Sequence, residues 1–298
     1  MSVKMIGLDI GGTNIRAGLV DEDNAVTGFQ KRSSHEMISE GEGLKKLSGF
    51  ISSFMEEPVQ GVVVGIPGTL NRDRTRILSC PNLPALNGCE LGAVLERELG
   101  IPAFLERDVN LLMLNDMLEF GDDGLVIGCY VGTGLGNAIA VNGLLLNGKD
   151  GAAGELGHIP LLGKTEPCTC GNIGCLENYA SGRFLERLVA DHFKGTPLGQ
   201  VFLRHSDHPV ILEYINTLAT GVAIEVNILN PERVILGGGV LGMEGFPREA
   251  LGAAIRRHTR KPEPSNSLTL CFSKDSPYGG VIGAAVCGRQ KRNGWESL

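Results

Sequence analysis

Two stretches of this chain echo one another: MIGLDIGGTNIRAGLVDEDN from Met5, and LVIGCYVGTGLGNAIAVNG at 125–143. Both run Ile-Gly, two residues, an aliphatic residue, Gly, a turn of small residues, then a second apolar segment. Two copies about 120 residues apart are too few for a solenoid. The repeat instead predicts two related α/β halves, each opening with a β-hairpin whose tip is rich in glycine. In the first copy the strands fall at 3–9 and 15–20. Asp9 stands where the second copy has Tyr130, so the two tips are not chemically equivalent.

The remaining pattern supports this. A third strand is expected at 25–32, and Leu44, Leu47, Ile51 and Phe54 mark a helix by their spacing. VVVGIP at 62–67 has the continuous apolar run of a strand buried on both faces. Helices are expected near 89–99 and over 109–119, with a short strand at 103–106 between them. Beyond the second hairpin, Ile211, Ile215, Leu218, Val222 and Val226 predict a long helix stopped at Asn230-Pro231. VILGGGV at 234–240 reads as a strand running into three glycines. A helix at 246–259, a strand at 268–272 and a small-residue helix at 279–288 complete the alternation of an α/β fold.

A chain of 298 residues has room for two packed domains. Its 42% hydrophobic and 20% charged composition is that of a globular protein. No run reads as approaching the roughly 18 apolar residues of a membrane span, and the N-terminus enters a strand at once, so a cytoplasmic protein is expected. With net charge −7 and no basic run or basic-aromatic patch read in the sequence, nucleic acid is not an expected partner. Cys80, Cys89, Cys129, Cys271 and Cys287 are scattered, which fits reduced thiols.

The other three cysteines are not scattered. Cys168, Cys170 and Cys175 lie within eight residues, downstream of His158. Three thiolates and an imidazole are the ligand set of a closed structural Zn²⁺ site, and Gly171 and Gly174 allow the tight turns such convergence needs. The alternative is a Gly-rich loop with inert thiols. Glu155 and Glu177 bracket the cluster and are either ordinary solvated acids or acids held in place by it. The tip Gly11, Gly12, Thr13 and Asn14, with Asp9 before it, offers backbone N–H groups to phosphate oxygens and a carboxylate to Mg²⁺, or is a tight hairpin with a capping Asp. Gly132, Thr133, Gly134, Leu135 and Gly136 form a second such cradle, and Gly237, Gly238 and Gly239 a third. Three together favour a nucleoside triphosphate bound between domains. Asp108, just before a helix, suits an N-cap, a proton-accepting carboxylate, or both. Asn82 is a turn residue or a polar contact.

Taken together, DIGGTN, GIPG at 65–68, PNL at 81–83, GTGLG, GELGH at 154–158, CTCGNIGCLE at 168–177 and ILGGGV resemble the ROK family of sugar kinases along essentially the whole chain. The resemblance implies an actin-like ATPase (ribonuclease H-like) fold with two related α/β domains and ATP in the interdomain cleft. The smaller N-terminal domain is expected at 1–118 plus about 282–298, and the larger, with the zinc loop, at 119–281. It implies Asp108 as catalytic base. The sugar contacts fall on Gly68, Asn82, Asp108, Glu155, His158 and Glu177, and the zinc ligands on His158, Cys168, Cys170 and Cys175. Phosphate loops fall at 9–14 and 132–136, with adenosine on 237–239. Mg²⁺ and ATP, a hexose substrate and a homodimer follow from it. Arg107 stands where the family commonly has Asn, and is expected to alter that wall of the sugar pocket. RDVN, GELGHIPL and GFPRE look most similar to D-allose kinases, which implies phosphorylation of D-allose at O6. Glucokinase or N-acetylmannosamine kinase is the alternative, with a non-catalytic sugar-responsive protein behind both. The strand beginning by residue 3 argues against a preceding DNA-binding helix-turn-helix.

Overall fold

A computed structural model describes residues 4–38, 41–274 and 276–294. The expected first strand residue, Val3, and positions 295–298 lie outside them.

Among the described residues twelve strands form: β1 Lys4–Ile10, β2 Asn14–Val20, β3 Val26–Ser33, β4 Val59–Ile66, β5 Thr69–Leu70, β6 Ile77–Ser79, β7 Ala103–Arg107, β8 Leu125–Val131, β9 Leu135–Val141, β10 Leu144–Leu145, β11 Arg233–Gly237 and β12 Leu270–Phe272. The helices are α1 Ser34–Met37, α2 Gly43–Ser52, α3 Leu91–Leu99, α4 Asp108–Phe120, α5 Glu177–Ala180, α6 Gly182–His192, α7 Val201–His205, α8 Pro209–Leu229, α9 Arg248–His258 and α10 Gly279–Arg292. One five-stranded sheet runs β3-β2-β1-β4-β7 and the other β10-β9-β8-β11-β12, while β5 and β6 pair alone. In both sheets an antiparallel hairpin is extended by parallel strands. Gly7 faces Gly18 in the first hairpin and Gly128 faces Ala138 in the second, so the sequence repeat is a repeat of register.

The chain divides into two compact units. One holds the described residues through Gly121, the segment Gly143–Ala153, and those from Ser276 on; the other holds Asp122–Asn142 and the described part of Gly154–Asp275. The segment 143–153, placed by sequence in the larger domain, thus belongs with the first unit.

In the first unit the apolar runs of β1 and β4 sit in the middle of the sheet, and Ile6, Leu8, Ile10, Val62, Val64 and Ile66 are all fully buried. The small residues of α10 allow close backbone approach: a Cβ on Gly7 would fall 2.2 Å from Val281 O, and one on Gly283 1.8 Å from Leu111 O. In the second unit α8 is the core helix, its apolar stripe burying Ile211, Tyr214, Ile215, Leu218, Val222 and Val226. His208 caps it through Val210 N, Pro209 opens it, and left-handed Asn230 closes it. By length and composition α8 also passes as a membrane span, with mean hydropathy 1.2 over an 18-residue window. More than half of that window is buried in the unit's own core, which accounts for its apolarity.

One correction concerns the basic run at 256–261, passed over in the sequence. Its charges serve the end of α9: Lys261 Nζ donates to the carbonyls of Arg257 and Thr259 at 3.0 and 2.7 Å, and Arg256 Nη1 to Ser265 O at 3.2 Å. Cations there complement the helix dipole.

Candidate active site

In the first unit, register aligns the carboxyl ends of three parallel strands. Asp9 is level with Gly65 and Gly65 with Glu106, and α4 begins two residues on at Asp108. Such strand ends are where open α/β sheets bind ligands. Asp9 is buried, with Arg16 Nη1 at 3.3 Å from its Oδ2, and the two residues face each other across the hairpin. Burial raises the Asp9 carboxyl and Arg16 opposes the rise.

Asp108 is half-buried and is the first residue of α4 rather than its N-cap; that position is Arg107, which makes no side-chain cap. The cause is local: β7 continues through Arg107, so the helix can begin only at 108. The Asp108 Oδ1 accepts from Val109 N at 2.8 Å. Burial, then the charge of Asp9, push this carboxyl up to about 7 against the pull of Val109 N–H and Arg107.

The first hairpin tip is braced from α1. Ser34 N donates to Thr13 O at 2.9 Å, Ser34 Oγ to Gly11 O at 2.6 Å, and Gly11 N to Asn14 O at 2.8 Å. The N–H groups of Gly12 and Thr13 make no hydrogen bond among the described residues. Exposed Asn82 lies over this tip, since a Cβ on Gly12 would come 3.4 Å from its Nδ2. A Cβ on Gly68 would meet Ser79 O at 2.2 Å, so packing alone explains that glycine.

Arg107 is buried, and its Nη1 donates to Ala153 O at 2.8 Å. It neighbours a buried network absent from the sequence reading. Arg74 Nε lies 3.2 Å from Glu106 Oε1, Arg74 Nη1 donates to Gly151 O at 3.1 Å, Arg74 also bonds the Asn147 side chain, and Asn110 Nδ2 donates to Glu106 Oε1 at 2.9 Å. Burial lowers the Arg74 pKa and Glu106 opposes that.

The second unit gathers the remaining expected residues. Its hairpin tip, one residue shorter than the first, is braced from α6: Gly182 N donates to Gly132 O at 2.8 Å and Arg183 N to Thr133 O at 3.1 Å. Leu135 N donates to Glu177 Oε2 at 2.8 Å, so this N–H, expected to face phosphate, is already used. Thr133 and Gly134 N–H make no hydrogen bond among the described residues. Gly238 has φ 92° and packs so closely that a Cβ would stand 2.6 Å from Val131 N and O, whereas nothing crowds Gly239.

His158, Cys168, Cys170 and Cys175 present ligand atoms within 4.8 Å of one another. His158 Nδ1 is 3.6 Å from Cys168 Sγ, and Cys170 Sγ is 3.6 Å from Cys175 Sγ. Tetrahedral Zn²⁺ with ordinary bond lengths spaces two sulfurs about 3.8 Å apart and a nitrogen and a sulfur about 3.6 Å apart. These two spacings match a zinc site, and the donor set fits structural zinc. Gly171 at φ 96° and Gly174 at φ 74° make its turns. Nε2 of His158 points away from the thiols and lies 3.8 Å from Glu155 Oε2.

Two further features escaped the sequence. A cavity of about 450 Å³, lined by residues including Lys164, Glu166, Arg187 and Glu213, contains none of the expected site residues. Buried Glu225 of α8, whose carboxyl burial pushes up to about 8, accepts from Asn137 Nδ2 at 2.9 Å; the one clue was an acid on an apolar helix face. Arg16 was legible in principle, because hairpin register places it opposite Asp9.

A profile of the ROK family matches residues 5–291. The chain belongs to the ROK family. Among its ROK-type relatives, an N-acetyl-D-glucosamine kinase of Pectobacterium carotovorum is 32% identical over 94% of this chain and 97% of its own. A glucokinase of Thermotoga maritima is 28% identical over 80% and 82%. The crystal structure of a ROK family glucokinase from Streptomyces griseus in complex with glucose and AMPPNP is 27% identical, covers 96% of this chain and 99% of that one, and superposes with TM-score 0.81. The fold is that of the actin-like ATPases.

Proposed function

We propose that this ROK-family sugar kinase transfers the γ-phosphoryl group of ATP to the O6 hydroxyl of a hexose, with D-allose as the substrate. The observation that carries the reading is Asp108 at a strand end, its carboxyl raised by burial and by Asp9, near a hairpin tip with two N–H groups that make no hydrogen bond among the described residues.

The O6–H proton passes to Asp108 as the O6–P bond forms, and the bond from Pγ to the bridging oxygen breaks with its electrons leaving on ADP. A loose phosphoryl transfer asks of its base mainly position. N–H groups of Gly12, Thr13, Thr133 and Gly134 take phosphate oxygens, and the glycines at 237–239 take adenosine. Asp9 would hold Mg²⁺, an ion that when bound would supply neutralisation of charge on the triphosphate. Asn82, Glu155, His158 and Glu177 pair with sugar hydroxyls, and Gly68 lies against the sugar. His158 does so through Nε2, leaving Nδ1 to zinc. His158, Cys168, Cys170 and Cys175 would hold the zinc, which would close the knot and supply no chemistry. Hydroxyl pairing lets such a site reject epimers, because a misplaced hydroxyl leaves buried polar groups unpaired.

Support for allose lies in RDVN, GELGHIPL and GFPRE, while the relatives named as glucokinase and N-acetyl-D-glucosamine kinase favour the second reading of glucose or an N-acetylhexosamine. A coupled assay with Mg-ATP and allose, glucose, N-acetylglucosamine and N-acetylmannosamine separates them. The highest kcat/KM is expected for allose; a higher value for another sugar overturns that choice, and no ADP release with any sugar overturns the kinase. The protein is proposed to be cytoplasmic and a homodimer. Exposed Leu212, Ile224 and Ile228 on α8 offer a face, and light scattering should give twice the chain mass.

A further inference from the structure

We propose that Glu177 is a positioning residue for the nucleotide turn: it holds the 132–135 backbone in shape and thereby ties nucleotide affinity to the cysteine knot. This rests on reading that turn as a phosphate cradle.

Besides its own internal bond, the turn is held by three bonds from the segment that emerges from the knot. Gly182 N and Arg183 N take the carbonyls of Gly132 and Thr133, and the Glu177 carboxylate takes Leu135 N–H at 2.8 Å. From outside the turn, the first two meet one arm and Glu177 meets the other; within it, Gly132 N donates to Gly134 O at 3.0 Å. The fit is tight enough to dictate sequence. A Cβ on Gly134 would lie 2.4 Å from Glu177 Oε2, and one on Gly182 2.4 Å from Gly132 O. With carbonyls and Leu135 N–H engaged, the N–H groups of Thr133 and Gly134 remain for an anion.

Glu177 is two residues past Cys175, and that stretch is anchored to the knot's opening strand. Leu176 N donates to Ile159 O at 2.9 Å, and Cys175 pairs with Pro160. Glu177 therefore stands on the knot and grips the turn.

Charge and position make opposite predictions for nucleotide binding. A carboxylate near phosphates repels them, so a Glu177 that was merely nearby would weaken ADP binding, and removing it would strengthen binding. A Glu177 that shapes the turn strengthens binding, and removing it exposes an unsatisfied N–H and lets the turn relax.

The test is ADP titration calorimetry on the full chain without sugar, with melting temperature read on each variant. Glu177→Ala, and Glu177→Asp, which keeps the charge but loses reach, are expected to weaken the ADP Kd about tenfold or more, the size of a charge-assisted hydrogen bond. Glu177→Gln, which keeps reach and an acceptor, should stay within about threefold of wild type. If Glu177→Ala fails to fold, the Asp and Gln pair carries the comparison. ADP binding by the Asp variant at wild-type strength or tighter overturns the proposal. A wild-type chain that binds no ADP instead overturns the nucleotide reading beneath it.

Discussion

Asp108 should cost the protein stability, and replacing it with Asn should return that stability while removing catalysis. Its carboxyl rises from an ordinary 3.8 to about 7 in the folded state. At 1.36 kcal/mol per pH unit the rise corresponds to about 4 kcal/mol against the folded ion; partial exposure reduces this to about 2 kcal/mol. The sign follows from proton binding. Between 3.8 and 7 the folded chain holds more protons here than the unfolded chain, so this group's contribution falls as pH rises and stays low above 7. Asn keeps the shape and the acceptor for Val109 N–H but carries no charge to desolvate. Thermal melts of wild type and Asp108→Asn from pH 4 to 8 should therefore nearly coincide at the acid end and separate toward pH 8, with the variant melting several degrees higher. The same variant should bind hexose and lose turnover by several orders of magnitude. A variant that melts lower at pH 8, or a gap that does not change with pH, would refute the desolvation argument. Near-normal kcat would refute the base assignment.

Because the base must be ionised, kcat/KM for the sugar should climb through about pH 7 and level off above it; a flat profile from pH 5.5 to 8 contradicts the raised carboxyl. Metal analysis should find about one zinc per chain, and Cys175→Ser should release it and lower the melting temperature. Zinc-free protein with full activity and unchanged stability would reduce the knot to an ordinary loop. Arg74→Met should destabilise by about 3 kcal/mol, since it removes the nearer of the two cations that face buried Glu106 and leaves Lys291 Nζ at 3.8 Å. Urea unfolding measures this, and a change under 1 kcal/mol would show that other partners satisfy Glu106.

The elements with strong local signals were legible before any coordinates. Glycine-tipped hairpins, the central run VVVGIP and the Pro-to-Asn span of α8 each combine periodicity with a stop signal. The knot was legible for another reason: four soft ligands near one another in sequence leave few arrangements. What sequence missed depends on partners far apart in the chain. Arg74 meets Glu106 and Asn147 only after folding, so nothing local distinguishes it from a surface arginine. The same holds for Arg107, whose bond to Ala153 O joins residues 46 apart, and for Leu135, whose N–H is claimed by a carboxylate 42 residues away. Asp108 failed as a cap for a finer reason. Caps are assigned relative to a helix start, and one extra strand residue moves that start.

The duplicated hairpin shows how one backbone device was given two uses. In both copies a following helix start takes carbonyls of the tip through backbone N–H groups, Ser34 for the first and Gly182 with Arg183 for the second, and leaves N–H groups facing out. The bracing is shared because it depends on backbone geometry, which the repeat preserves. The difference lies at one side chain. Asp9 is buried as an acid, raised in pKa and answered by Arg16, whereas Tyr130 at the corresponding place packs a ring edge against Gly237, where a Cβ would stand 3.0 Å from its Cδ1. With Tyr130 in the second copy, that tip carries N–H groups and no acid, whereas the first sets the Asp9 carboxylate, proposed above to hold a divalent cation, before its own N–H groups.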